Sequence, residues 1–259
     1  MNRIVKNMVL SLCGAALLLC IACSFIAGRA SRSQVICERL EVVITDSLEN
    51  SFVSKEDVRK YLEKEYGQYI GVAVDSLDLV KIEKIIDNRS AVDKSQAYVT
   101  KDGTLHVTVS QRRPVVRFQK KNGGFYADAE GFIFPLQSSF ASHVQVIDGN
   151  IPLAANSGYK GIIEDPKEKE WFKKVMRLVN FIENDRQWKG KIVQIHVDSK
   201  GELILIPREG KEHFLFGQPT GLEDKFSRMA RYYTTIIPAK GADHYRKVDL
   251  RYEGQIVCR

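Results

Sequence analysis

The chain has 259 residues, a formal net charge of +7 and one apolar run long enough to cross a bilayer, which excludes a polytopic transporter. Residues 1–36 hold four basic and no acidic side chains, and no cluster of Lys and Arg interleaved with aromatics appears elsewhere. The positive charge therefore signals topology and not nucleic-acid binding. Three of the five cysteines lie inside the apolar run, so the remainder must rely on packed cores and not on a disulfide framework.

The run itself, Asn7 to Gly28, carries no charge. As a helix it is long enough to cross the hydrocarbon core, about 30 Å thick. The adopted reading is a short cytoplasmic tail at 1–7, a single transmembrane helix at 8–28 and an extracytoplasmic remainder. Two other readings stand beside it. A cleavable signal peptide would use Gly28-Arg29-Ala30 as its small-x-small site, and a lipoprotein would use Ile21-Ala22-Cys23. Arg3 and Lys6 before the run against Arg29 and Arg32 after it give only a slight orientation bias.

A first block follows, over residues 37–113. Leu40 to Ile44 reads as a strand. Ser54-Lys55-Glu56-Asp57 has the pattern of a helix start, with Val58, Tyr61 and Leu62 at helical spacing and Gly67 as the stop. A second short helix begins near Ser76 or Asp78 and places Leu79, Ile82 and Ile86 on one face. Ala97 to Thr100 and Leu105 to Val109 then flank Asp102-Gly103, a two-residue hairpin signal. Strand, helix, helix, strand, strand predicts a small α+β unit with two helices on a three-stranded sheet.

From Pro114 to Arg259 the chain is β-rich. Val115 to Phe118, Phe125 to Asp128 and Phe132 to Phe134 are strand segments separated by the Asn122-Gly123-Gly124 and Glu130-Gly131 turns. A helix is predicted over 166–184, with Phe172, Val175, Met176, Val179 and Ile182 on one face. Strands at Ile192 to Val197, Leu203 to Ile206 and His213 to Phe216 follow. A last amphipathic helix carries Leu222, Phe226, Met229 and Tyr233 and stops at Pro238, and Lys247 to Tyr252 and Gln255 to Cys258 close the chain as strands. The expectation is an antiparallel sheet with two packed helices.

Chemistry-bearing constellations are not visible. The five histidines never reach metal-ligand spacing, and neither a phosphate loop nor a nucleophile elbow is present. Asp128 and Glu130 would share a face of an extended strand, but acids leading into a Gly131 turn are common. No catalytic residue, metal or cofactor is assigned. Cys37 and Cys258, the two cysteines outside the run, are expected to stay unpaired.

Three segments together resemble the FtsQ/DivIB family of bacterial cell-division proteins. They are the strand–helix–helix–strand–strand block behind the anchor, the stretch QRRPVVRF at 111–118 with GFYADAEGFIFPL at 124–136, and KVDLRYEGQIV at 247–257. The resemblance implies a POTRA domain at 37–113 and a β domain at 114–259. It also implies a non-enzymatic inner-membrane scaffold at the division septum, with FtsB- and FtsL-like proteins and other divisome components as partners and no nucleic acid. Its partner contact would fall on Lys247, Asp249, Arg251, Tyr252, Glu253, Gly254 and Gln255.

Edge-strand physics fits such a contact, because unpaired N–H and C=O groups can template a partner strand. Alternation would turn Val248, Leu250 and Tyr252 inward and leave the charges of Asp249 and Arg251 to fix a partner's register. The plain alternative is that these residues only complete the fold. Arg112, Arg113, Pro114 and Arg117 form a stiff interdomain junction, since Pro114 holds Arg113 extended; its arginines either touch a partner or lipid headgroups or are simply solvated. A periplasmic POTRA-bearing assembly factor for outer-membrane or secreted proteins is the alternative function, and an exported hydrolase the weakest.

Overall fold

The structure is a computed structural model and describes residues 13–24, 35–46 and 51–259. Residues 13–24 form a helix, α1, with exposed side chains. The expected tail at 1–7 lies outside the described residues, as do both ends of the expected span at 8–28. Among the described residues no helix is long and apolar enough to cross a membrane.

The rest divides into two compact units. The first contains β1 (Arg39–Ile44), α2 (Lys55–Glu65), a 3-10 turn (Val74–Ser76), α3 (Leu79–Asp87), β2 (Val92–Val99) and β3 (Thr104–Gln111). The sheet order is β1-β3-β2, with β1 parallel and β2 antiparallel to the central β3. Both helices start where the sequence places a cap. The Ser54 hydroxyl accepts from the Asp57 N–H at 3.1 Å while the Asp57 carboxylate accepts from the Ser54 N–H at 3.0 Å, a reciprocal capping box. Asp78 caps α3 by accepting from the Lys81 N–H at 2.9 Å.

Val58, Leu62, Ile82, Ile85 and Ile86 from the helices are buried, as are Leu105, Val107 and Val109 on one face of β3. The hairpin loop is longer than expected. It spans Thr100 to Gly103 and is closed by the Gly103 N–H donating to the Thr100 carbonyl at 3.0 Å. Gly103 sits at φ +78, and a Cβ there would fall 2.3 Å from the Ile36 carbonyl oxygen, so no other residue fits.

The second unit holds β4 (Pro114–Lys120), β5 (Gly123–Asp128), β6 (Ile133–Pro135), β7 (Gln145–Gly149), α4 (Pro166–Asn184), β8 (Ile192–Val197), β9 (Leu203–Pro207) and β10 (His213–Gly217). It continues through α5 (Leu222–Arg231), a π-helical segment (Tyr232–Ile236), α6 (Ile237–Lys240), β11 (Lys247–Asp249) and β12 (Val257–Cys258). These strands make one nine-stranded sheet in the order β12-β11-β10-β9-β8-β7-β4-β5-β6. The α+β class stands, but the expected antiparallel sheet is corrected to a mixed one, because β4–β7, β7–β8 and β10–β11 are parallel. A parallel neighbour needs a crossover. α4 supplies it between β7 and β8, and α5 supplies it between β10 and β11.

β7 has no counterpart in the sequence reading, although it lies in the middle of the sheet. The helices cover one sheet face. Phe172, Val175, Leu178 and Ile182 of α4 and Phe226 and Met229 of α5 share one buried cluster with Phe118, Ile147, Ile195, Leu205, Phe214 and Val248. Phe181 and Phe226 stack at 4.9 Å between ring centres and join the two helices.

Pro238 does not stop the last helix. The chain widens first into the π-helical turn, where the Ile237 N–H donates five residues back to the Tyr232 carbonyl, and Pro238 then sits in the first turn of α6. A proline at a helix start needs no acceptor for the N–H it lacks. The wide turn also brings two consecutive tyrosines against Phe214, Tyr232 at 5.6 Å and Tyr233 at 5.8 Å.

Candidate partner-binding site at the C-terminal hairpin

The residues singled out at 247–255 occupy the connection between the last two strands. Phe214 and Leu215 of β10 register with Val248 and Asp249 of β11, which in turn register with Cys258 and Val257 of β12. The strand expected to be open is therefore enclosed on both sides. Val248 and Leu250 are wholly buried. The outermost strand at this end of the sheet is β12.

Its hydrogen bonding identifies the open groups. The Lys247 N–H donates to the Arg259 carbonyl at 3.0 Å and the Arg259 N–H donates to the Lys247 carbonyl at 2.9 Å. In an antiparallel ladder the residue next to such a doubly bonded pair turns its N–H and C=O the other way. Cys258 thus directs both groups away from β11, while its side chain and that of Ile256 pack against the core cluster.

Both strands are shorter than expected because the chain leaves the sheet after Leu250. Tyr252 is 51% exposed and does not continue the buried face of Val248 and Leu250, contrary to the alternation expected of it. Arg251 folds back on Asp249. Its Nε donates to Asp249 Oδ1 at 2.9 Å, its Nη2 donates to Oδ2 at 2.6 Å, and its Nη1 reaches Glu202 Oε2 at 2.8 Å. The Arg251 hydrogen bonds hold the Asp249 carboxyl below the usual aspartate range, and the two carboxylates push the guanidinium up.

The charged pair expected to set a partner's register is thus engaged inside the fold. Gly217 makes room for it: φ is +71, and a Cβ there would lie 2.9 Å from Arg251 Cγ. Lys247, Glu253, Gly254 and Gln255 are exposed, with Gly254 at φ +65 in the tight turn.

Sequence reasoning missed two cations of α5. Arg228 is buried, and its Nη1 donates to the carbonyls of Tyr252 at 2.7 Å and Gln255 at 2.6 Å. Its Nε and Nη2 donate to Asp224 Oδ2 at 2.9 and 2.6 Å. One helical turn earlier, Lys225 Nζ donates to the Phe216 and Gln218 carbonyls at 2.8 and 2.7 Å, and burial pushes this ammonium below the usual lysine range. The Asp224 to Arg228 spacing of i,i+4 was readable as a helical ion pair, but its use on a distant loop was not.

Arg112 and Arg117 of the expected junction both meet side chains of the second unit. Arg112 Nη1 donates to Asp128 Oδ2 at 3.0 Å, and its guanidinium lies 3.6 Å from the Phe132 ring centre. Burial, the largest influence, raises the Asp128 pKa despite this partner. Asp128 also accepts from the Phe132 N–H at 2.8 Å, so the carboxylate weighed for acid–base work organises a turn. Arg113 is exposed, Pro114 opens β4, and Arg117 lies inside that strand, where its Nη2 donates to Gln119 Oε1 at 2.6 Å. Arg117 thus belongs to the sheet and not to a connecting segment.

Among the described residues no group of three His, Cys, Asp or Glu side chains could hold a metal ion. His196 meets Asp148 Oδ1 at 2.8 Å, and His106 stacks on Tyr98 at 4.8 Å. Cys37 and Cys258 are free thiols, each raised in pKa by burial.

Comparison with known families gives two matches. A family model described as FtsQ/DivIB, C-terminal related covers residues 113–259, more than half of the chain. A model described as a POTRA-like domain covers residues 35–110. Comparison with curated proteins gives no match.

Proposed function

The chain belongs to the FtsQ/DivIB family, and on that premise we propose that it is a non-enzymatic scaffold of the bacterial division machinery that receives FtsB- and FtsL-like partners on its C-terminal hairpin. In this reading residues 1–7 are a cytoplasmic tail and 8–28 the inner-membrane anchor. Residues 37–113 form the POTRA domain and 114–259 the partner-binding β domain, both periplasmic at the septum.

The observation that carries the proposal is the outward-facing backbone of Cys258 on the last strand of the sheet, in a hairpin whose connection exposes Tyr252. A partner segment added there gains main-chain hydrogen bonds without disturbing the ladder already formed. Lys247, Glu253, Gly254 and Gln255 supply exposed groups along the same hairpin, while Asp249 and Arg251 keep it rigid. Interfaces tend to be anchored by aromatic side chains, which gives Tyr252 the contact role.

Depleting the protein from its own cells is the direct test. Cells should lengthen into filaments with arrested septa, and the full chain should restore division while a chain truncated after Gln255 should not. Truncation at that point removes β12 and spares the buried Val248 and Leu250. Normal septation after depletion would refute the reading.

A further inference from the structure

We propose that Arg228 is a positioning residue for partner binding, holding the Tyr252–Gln255 loop in the one form that presents Tyr252 and the β12 rim together. This rests on the partner-binding reading of the hairpin given above.

The Arg228 guanidinium ends on the backbone of the hairpin loop. Its Nη1 bridges the carbonyls of Tyr252 and Gln255, which bracket Glu253 and Gly254, the exposed tip of the connection. Fixing both carbonyls sets where the chain re-enters the sheet, because β12 begins two residues after Gln255. The loop's own closure is weak by comparison, a 3.4 Å contact from the Gln255 N–H to the Tyr252 carbonyl. Asp224 holds the other edge of the guanidinium through Nε and Nη2. Only a planar fork can face a carboxylate on one edge and a pair of carbonyls on the other, so lysine is not an equivalent here.

The burial of Arg228 strengthens the case. A desolvated cation is retained only where its donors are used. α5 spends this one on a surface loop that carries no core side chain, since Tyr252, Glu253, Gly254 and Gln255 are all exposed. Core packing in this helix belongs to Leu222, Phe226 and Met229. Its neighbour Lys225 does the same service one turn away for the end of β10, where it caps the Phe216 and Gln218 carbonyls.

The test uses the full chain in detergent and an immobilised peptide covering the extracytoplasmic part of the FtsB-like protein of the same cell. Arg228→Lys should raise the dissociation rate about tenfold, the scale set by losing hydrogen bonds to a charged group. Asp224→Asn should raise it less, and Asp224→Glu should restore it. Val175→Ala, a core truncation in α4, lowers the melting temperature without altering the dissociation rate, which separates positioning from general stability. Arg228→Lys dissociating at the wild-type rate overturns this inference alone, as does Val175→Ala matching its effect. A wild-type chain that captures no peptide overturns the partner reading and this inference with it.

Discussion

Tyr232 is wholly buried, yet its hydroxyl has no hydrogen-bond partner among the described residues. Burial, with Glu212 nearby, pushes its pKa up to about 12, whereas a free tyrosine titrates near 10. Between those values the unfolded chain releases a proton that the folded chain keeps, so the contribution is complete below about pH 10 and is lost as pH rises to about 12. Tyr232→Phe removes a buried orphan hydroxyl and should raise the unfolding free energy by about 1 kcal/mol, with a shallower alkaline decline in urea titrations at pH 10 to 12. Its neighbour Tyr233 differs because it donates to Glu212 Oε1 at 2.7 Å. Phenylalanine at 233 would strand that buried carboxylate. Neither role was legible in the sequence, where Tyr233 read only as one more apolar position on a helical face.

Elements with local causes were the ones the sequence disclosed. Ser54 and Asp57 announce α2 and Asp78 announces α3, since caps are set by residues a turn apart. Ser54→Ala should cost about 1 kcal/mol in a denaturant titration, the usual value of a lost cap. Elements with distant causes were not disclosed. β7 lies between two parallel neighbours, β4 reached through β5 and β6 and β8 reached through α4, a relation that local alternation cannot encode. The last two strands shortened for a similar reason. Asp249 and Arg251 alternate as strand residues, but Arg251 pairs with Glu202 of the loop before β9, forty-nine residues earlier, and pulls the chain out of the sheet. The closing hairpin was legible as two strand segments and misread in its interior: Tyr252 is exposed where alternation would turn it inward, and the outermost strand is β12, not β11.

At the scale of the whole molecule the family follows from order more than from any one motif. An apolar run, a small α+β block and a β-rich block with a closing hairpin are each common, and the matches at 35–110 and 113–259 reproduce the last two in sequence. Each unit has its own core, which predicts separable damage. Arg112 and Asp128 form a largely desolvated pair, with side chains 15% and 6% exposed, inside the second unit. Arg112→Ala should destabilise that unit by about 3 kcal/mol, because it leaves a carboxylate buried without its cation. Hydrogen exchange read unit by unit should show the loss in β4 to β6 and none in α2 or α3.

The account turns on whether backbone at the β12 rim receives a partner strand. Cys258→Pro deletes an N–H that faces outward and leaves the Lys247–Arg259 bonds in place, so the fold should persist with a nearly unchanged melting temperature. Measured by capture of the FtsB-like peptide on the full chain, this variant should lose at least tenfold in affinity. Binding at the wild-type level by a folded Cys258→Pro chain would contradict the account.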